Sequence, residues 1–302
     1  MGKVTRLKGD LDDVEGLLEI ISVLKDVSVN RFFVFAQKKA NYDRFLRTFM
    51  DFFGLLGVVD TNCPLVKNEN PGVDLLIVAS DLSFMAQLNS KVISMAIKEY
   101  AKYPKANIIL LGKKSAERCR RLDMNLDKVY SFADAPTRYD LALQIREYLI
   151  DRIMTGKSGK VVVVYCWAKS FSILKPRAIT LLPASELAGE EDDEDSEAGA
   201  DGGNLAAKKK HQKNDFIQES TIDQTMGALA DIWIHARLVE IISDLQLVEF
   251  AATSQQLESA IEGLSGEKKG LVMSLRKASR DELNKAMREV FTSTSITKTK
   301  GR

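Results

Sequence analysis

Apolar residues near the start of the chain fall at Leu7, Leu11, Val14, Leu18 and Ile21, and near its end at Phe250, Leu257, Ile261, Leu264, Leu271, Leu275 and Ala278. The steps alternate between three and four residues or are their sum, the spacing of a narrow seam that meets one partner helix. Neither Leu7 to Leu56 nor Ile222 to Phe291 contains a proline, so each is predicted as a long helix. At a rise of about 1.5 Å per residue the second would span on the order of 100 Å, too long to lie within one globular core. A competing reading breaks the runs into shorter bundled helices at Gly54 and Gly57, and at Gly263, Gly266 and Gly270.

Between about Val58 and Pro183 the period shortens. Strands are predicted at Val73 to Ala79, Ile108 to Leu111, Val161 to Tyr165 and Ala178 to Leu182, the first three as continuous apolar runs of the kind buried on both faces. Helices are predicted at Met85 to Tyr103, Ser115 to Leu122 and Thr137 to Met154. The β-α-β-α order implies a mostly parallel sheet with right-handed crossovers, a small Rossmann-like layer structure. After Pro183 nine acids lie between Glu186 and Asp201, followed by Gly202-Gly203 and a basic run from Lys208 to Lys213. Such a segment buries too little apolar surface to offset its ordering entropy and is expected to be a disordered loop. The expected divisions are thus 1–57, an N-terminal helix; 58–184, an inserted α/β domain; 185–215, the acidic then basic loop; and 216–302, a C-terminal helix and tail.

Composition narrows the function classes. A net charge of +1 over 302 residues provides no field for nucleic acid or a membrane surface. Cys63, Cys119 and Cys166 are odd in number and far apart, which argues against zinc and a disulfide framework and for a reducing compartment. Met1 to Asp10 lacks the apolar core of a signal peptide, no run approaches the roughly 20 apolar residues of a membrane span, and Arg6 breaks the myristoylation pattern. A soluble protein is expected, able to dock on a membrane complex.

The motifs that suggest chemistry fail in detail. Thr155-Gly156-Lys157-Ser158 resembles the tail of a phosphate-binding loop, but Asp151 stands where the required glycine belongs and the motif precedes a strand. No glycine occurs in Ser80-Asp81-Leu82-Ser83-Phe84-Met85 after the first strand, so a dinucleotide fingerprint is missing. His211 sits in the polar loop and His235 on a helix, neither near a paired nucleophile. Asp12-Asp13 and Asp281-Glu282 read as solvated helix faces, and Phe32, Phe35, Tyr42, Phe45, Phe49 and Phe52 as packing. No catalytic, cofactor-binding or metal-ligating residue is predicted.

Several strings nevertheless resemble, in order and spacing, the gamma subunit of F-type ATP synthases, the central rotor shaft. They are Val23-Leu24-Lys25-Asp26-Val27; Ser80-Asp81 with Leu88-Asn89; Gly112-Lys113-Lys114; Val164-Tyr165; Leu181-Leu182-Pro183; Glu249, Ala251, Ala252 and Ala260; and Leu275, Lys277, Ala278 and Leu283. Departures mark a divergent member. The family's glycine-rich turn is replaced by Leu82 to Gln87, its early basic pair by Asp12-Asp13, and its terminal Arg-Gln pair aligns with Ser279-Arg280.

The resemblance implies a long antiparallel coiled coil of N- and C-terminal helices, left-handed because of its 3.5-residue seam, with the Rossmann-like α/β domain inserted. It implies a non-catalytic, cofactor-free central-stalk subunit that couples ion flow through a membrane ring to ATP synthesis or hydrolysis. The implied partners are alpha and beta subunits, an epsilon subunit and a ring of c subunits, with no nucleic acid; the implied location is the cytoplasmic face of a membrane, or the organellar matrix equivalent, as a peripheral subunit. Lys25, Arg276, Lys277 and Arg280 are the expected partner-facing cations, since opposite charge at close range guides alignment. Two other readings stay open: a coiled-coil adapter that kept the architecture without rotation, and a small-ligand enzyme on the α/β layer.

Overall fold

The computed structural model describes residues 2–56, 62–183 and 221–299; the acidic and basic segment at 185–215 lies outside them. Two helices dominate, α1 (Lys3–Leu56) and α5 (Ile222–Thr299). Both run unbroken through glycines at which a bundle of shorter helices would divide, Gly54 in the first and Gly263, Gly266 and Gly270 in the second; Gly57 lies outside the described residues. A Cβ at each of the latter three would meet nothing within 4 Å, so their helical state is set by neighbouring residues rather than by a close approach. The described residues fall into two compact units, Met1–Arg31 with Ala252–Arg302, and Phe32–Ala251.

In the first unit α1 and α5 pack side by side. The shielded positions of α1 include Val4, Leu7, Leu11, Val14, Leu18, Ile21, Lys25 and Ser28, and those of α5 include Ser254, Leu257, Ile261, Leu264, Lys268, Leu271, Leu275 and Ala278. Burial thus recurs every three and then four residues on both helices, the repeat of a two-helix supercoil. Two seam positions carry lysine, and each reaches a carboxylate on the other helix: Lys25 Nζ to Glu258 Oε1 at 2.9 Å and Lys268 Nζ to Glu15 Oε1 at 3.0 Å. Moving forward along α1 from Glu15 to Lys25 moves backward along α5 from Lys268 to Glu258, so the pairing is antiparallel. Half-exposed pairs of this kind stabilise little; a charged residue in an apolar seam chiefly specifies register.

The second unit is built on a five-stranded sheet in the order β3-β2-β1-β4-β5. Its strands are β1 (Val73–Val78), β2 (Asn107–Leu111), β3 (Leu126–Tyr130), β4 (Lys160–Ala168) and β5 (Leu174–Leu182). The first four are mutually parallel and β5 returns antiparallel to β4. Crossovers run through α2 (Ala86–Lys102), α3 (Ala116–Arg121) and α4 (Arg138–Met154). Alternate residues serve two cores. Leu76, Val78, Ile109, Leu111, Val161 and Val163 cluster with Leu141, Ile145 and Leu149 of α4 and with Trp233, Ile234, Ile241 and Leu245 of α5. Leu75, Ile77, Ile108 and Leu110, equally buried, point to the opposite face, and α2 packs on β1, β4 and β5.

Two elements depart from the sequence reading. β3 escaped it because Leu126-Asp-Lys-Val-Tyr130 carries two charges in five residues; as an edge strand it leaves Asp127 and Lys128 exposed. Asp127 is held by Arg152 and Tyr148, and Lys128 lies over the Tyr130 and Tyr148 rings. β5 begins before the expected Ala178 and runs through Pro176, which an edge strand tolerates because one row of its donors is unpaired.

Beneath the sheet lies a buried ion pair. Asp74 on β1 is fully shielded and is gripped by Arg152 of α4 through two parallel bonds, Nε to Oδ2 at 2.7 Å and Nη2 to Oδ1 at 2.8 Å. The hydrogen bonds and charge of Asp74 raise the Arg152 pKa despite partial burial. Arg152→Met would leave Asp74 charged without its partner, and unfolding free energy by urea titration is expected to fall by about 3–5 kcal/mol; a loss below about 1 kcal/mol would mean that the pair contributes nothing beyond packing.

Candidate functional site

Open α/β sheets take ligands at the carboxyl ends of their strands, where the strand order reverses. Here the reversal lies between β1 and β4, and the loop after β1 enters it with Ser80. The Ser80 N–H donates to Asn89 Oδ1 at 3.0 Å and the Asn89 amide donates back to Ser80 O at 2.8 Å, so two residues singled out in the sequence are bonded to each other. Asp81 accepts from Ser131 Oγ and the Lys114 N–H, tying together the ends of β1, β2 and β3. Gly112 sits at φ 112°, and a Cβ there would lie 2.5 Å from Ala79 O, so only glycine closes this layer.

The crevice holds a side chain of the chain itself. Glu249 of α5 accepts from Ser80 Oγ at 2.6 Å and from Arg138, the first residue of α4, at 2.8 Å. Arg138 also lies over the Phe132 ring with 4.8 Å to its centroid. The phosphate-loop lookalike has a different role. The Gly156 N–H donates to Ile153 O and the Lys157 N–H to Arg152 O, with Gly156 at φ 71°. This pair of bonds is the glycine cap of a helix C-terminus, the end that repels anions. His235 packs edge-on against Tyr139, 4.5 Å between ring centroids, and burial together with Arg146 lowers its pKa. Among the described residues no group of His, Cys, Asp and Glu could hold a metal ion, and no helix is long and apolar enough to cross a membrane. Cys63, Cys119 and Cys166 are all buried, and burial pushes the Cys166 thiol up to about 12.

A second polar group joins α1 to α5 inside the same unit. Lys39 bonds Asp244 and lies 3.9 Å from Glu240, which Arg237 also holds. Asp244 has only 2 % of its side chain exposed. Its pKa is raised to about 6, burial outweighing the opposing pull of Lys39. Beside this group, Phe32 packs against Leu247 and Ala251, and Phe35 against Phe250. Of the aromatic stripe, Tyr42, Phe45, Phe49 and Phe52 lie outside the side chains described.

The four expected partner-facing cations separate into two kinds. Lys25 is engaged by Glu258, while Arg276, Lys277 and Arg280 are exposed and surround buried Ala278. From Ser279 through Phe291 every residue of α5 is exposed, including Leu283, Met287, Val290 and Phe291. Asp12-Asp13 and Asp281-Glu282 are exposed, as expected. Sequence reasoning found neither the Glu249 crevice nor Asp244, since nothing in their spacing separates them from ordinary helix charges.

Comparison with known proteins is consistent from end to end. The profile of the ATP synthase family matches residues 3–293. The ATP synthase gamma chain of Phocaeicola vulgatus is 22% identical over 300 residues, covering 96% of this chain and 98% of that one. The gamma chain of Desulfotalea psychrophila is 22% identical over 267 residues, 86% and 87% of the two chains. Among solved structures, a chain of the Euglena gracilis mitochondrial ATP synthase (OSCP, F1 and c-ring) superposes with a TM-score of 0.58 at 12% identity, covering 97% of this chain and 94% of that one. A chain of the Tetrahymena thermophila mitochondrial ATP synthase central stalk and c-ring gives 0.56 at 12% identity, over 80% and 99%.

Because burial raises the Asp244 pKa above the ordinary aspartate value of 3.8, the folded chain holds this proton more tightly than the unfolded chain. Its contribution is therefore fully present below about pH 4 and is lost as pH rises to about 6, on the order of 2–3 kcal/mol in all. Asp244→Asn should gain on wild type by that amount between pH 4 and 7 in urea unfolding; parallel curves for the two would contradict the assignment.

Proposed function

The chain belongs to the gamma-chain family of ATP synthases and is a non-catalytic central-stalk subunit, and from that premise we propose how its surfaces are used. The paired helices of the first unit form a shaft, and α5 beyond Ala278 is its leading tip. The observation that carries this reading is the exposure of every residue from Ser279 to Phe291, with apolar side chains at 283, 287, 290 and 291. A continuous helix that presents Leu283, Met287 and Phe291 to solvent at helical spacing is suited to a surrounding protein wall.

That wall is a ring of alpha and beta subunits. An asymmetric shaft makes different contacts with successive catalytic subunits, so each is biased toward a different nucleotide affinity, and rotation exchanges the biases. The coupling is reciprocal: nucleotide turnover turns the shaft, and a turned shaft drives nucleotide exchange. Arg276, Lys277 and Arg280 face carboxylates of the ring, and Lys25, held by Glu258, contributes to the same charged band. The α/β domain contacts the epsilon subunit and the ring of c subunits, which makes the protein a peripheral component of a membrane complex. It binds no cofactor, and its ligand crevice is filled from within.

Two experiments test the proposal. Affinity purification of the full chain from its native source is expected to bring down six large nucleotide-binding subunits; an adapter without rotary role would leave their ATP turnover unchanged on addition or removal. Reversing charge with Arg276→Glu and Arg280→Glu in the assembled complex should reduce ATP-driven ion pumping relative to hydrolysis, and unchanged coupling would remove these residues from the interface.

A further inference from the structure

The crevice between β1 and β4 is built as a receptor for an anion. Ser80 is fully shielded, its backbone N–H and carbonyl are both taken by Asn89, and its hydroxyl is oriented further by accepting from the Leu82 N–H at 3.1 Å. Arg138 is fixed by the Phe132 ring and donates to Ile242 O at 3.4 Å as well as to Glu249. These donors come from the α/β layers, whereas the carboxylate they grip, itself 7 % exposed, comes from α5. The arrangement is that of a ligand site whose ligand is covalently part of the chain.

We infer that Glu249 is an intramolecular ligand of the switch-point crevice and acts as a positioning residue that fixes the rotation and axial setting of α5 on the α/β domain. The apolar contacts of Trp233, Ile234, Ile241 and Leu245 with the sheet hold α5 down but are non-directional, and a helix surface offers neighbouring ridge-and-groove settings of similar burial. A carboxylate with one oxygen on Ser80 and the other on Arg138 is satisfied in a single setting, because both bonds are short, directional and charge-assisted. The mechanical consequence rests on the central-stalk reading: torque on α5 reaches the α/β domain through a fixed carboxylate rather than by sliding of apolar surfaces.

Chemical rescue tests the inference. Glu249→Ala in the full chain should lower Tm by roughly 5 °C or more. Sodium acetate should recover a large part of that loss by occupying the vacated donors, while sodium chloride at equal ionic strength should not. Glu249→Gln, which fills the space, should show a smaller loss and no response to acetate. Equal acetate and chloride curves for the alanine variant, or an acetate response in the glutamine variant, would overturn the ligand assignment. In the assembled complex the alanine variant should lose ion pumping per ATP hydrolysed, and acetate should return it. Rescue of Tm with full coupling in the variant would overturn the positioning role. Should the unaltered chain fail to associate with nucleotide-binding subunits, the central-stalk reading falls, while the acetate arm still decides the crevice.

Discussion

A seam one residue wide, repeating every three and four positions on two helices from opposite ends of the chain, is the constraint from which the rest of this protein follows. Such a seam buries too little surface on either helix alone to hold it straight, because isolated helices gain most of their stability from packing. Each helix is therefore stable only against the other, and the termini must come together. The sequence between them is then released from any role in the shaft and folds around its own sheet. Lysine at two seam positions, 25 and 268, weakens the apolar stripe slightly and in return ties one alignment through Glu258 and Glu15.

The second unit solves a different problem, the attachment of long helices to a globular layer. Apolar burial supplies most of the energy there, but the charged residues are placed where direction matters. Lys39 and Asp244 join α1 to α5, Glu249 joins α5 to the ends of β1 and α4, and Arg152 joins α4 to β1 and β3. Each is buried or half-buried, so each is costly if broken and specific if kept. The Rossmann-like layer has kept the topology of a ligand-binding fold while its crevice is occupied by its own chain, which is consistent with a family that performs no chemistry on the layer.

Much of this is legible in the sequence itself. The paired terminal helices followed from spacing and the lack of proline, and three of the four parallel strands from continuous apolar runs. The sequence resemblance to the gamma family rests on strings spread over most of the chain, and for Ser80, Asn89 and Gly112 among them the structure gives a physical role: they close the carboxyl ends of the strands. What was not readable depends on long-range placement. β3 carries Asp127 and Lys128, whose partners Arg152 and Tyr148 come from α4, so no local pattern marks it as a strand. The antiparallel return of β5 is set by pairing with β4, not by its own residues. Asp244 looks like any helix acid until the fold places Lys39 beside it, and Glu249, though part of the family resemblance, shows its role only when the fold brings Ser80 and Arg138 to it.

The pairing of the termini is tested most directly by zero-length carbodiimide crosslinking of the full chain, followed by mass spectrometry of the digested product. Lysine and carboxylate in contact become an amide, so for the first unit the account predicts the links Lys25 to Glu258 and Lys268 to Glu15. Links joining these lysines to carboxylates a heptad or more away, or no link between the two terminal helices, would contradict it.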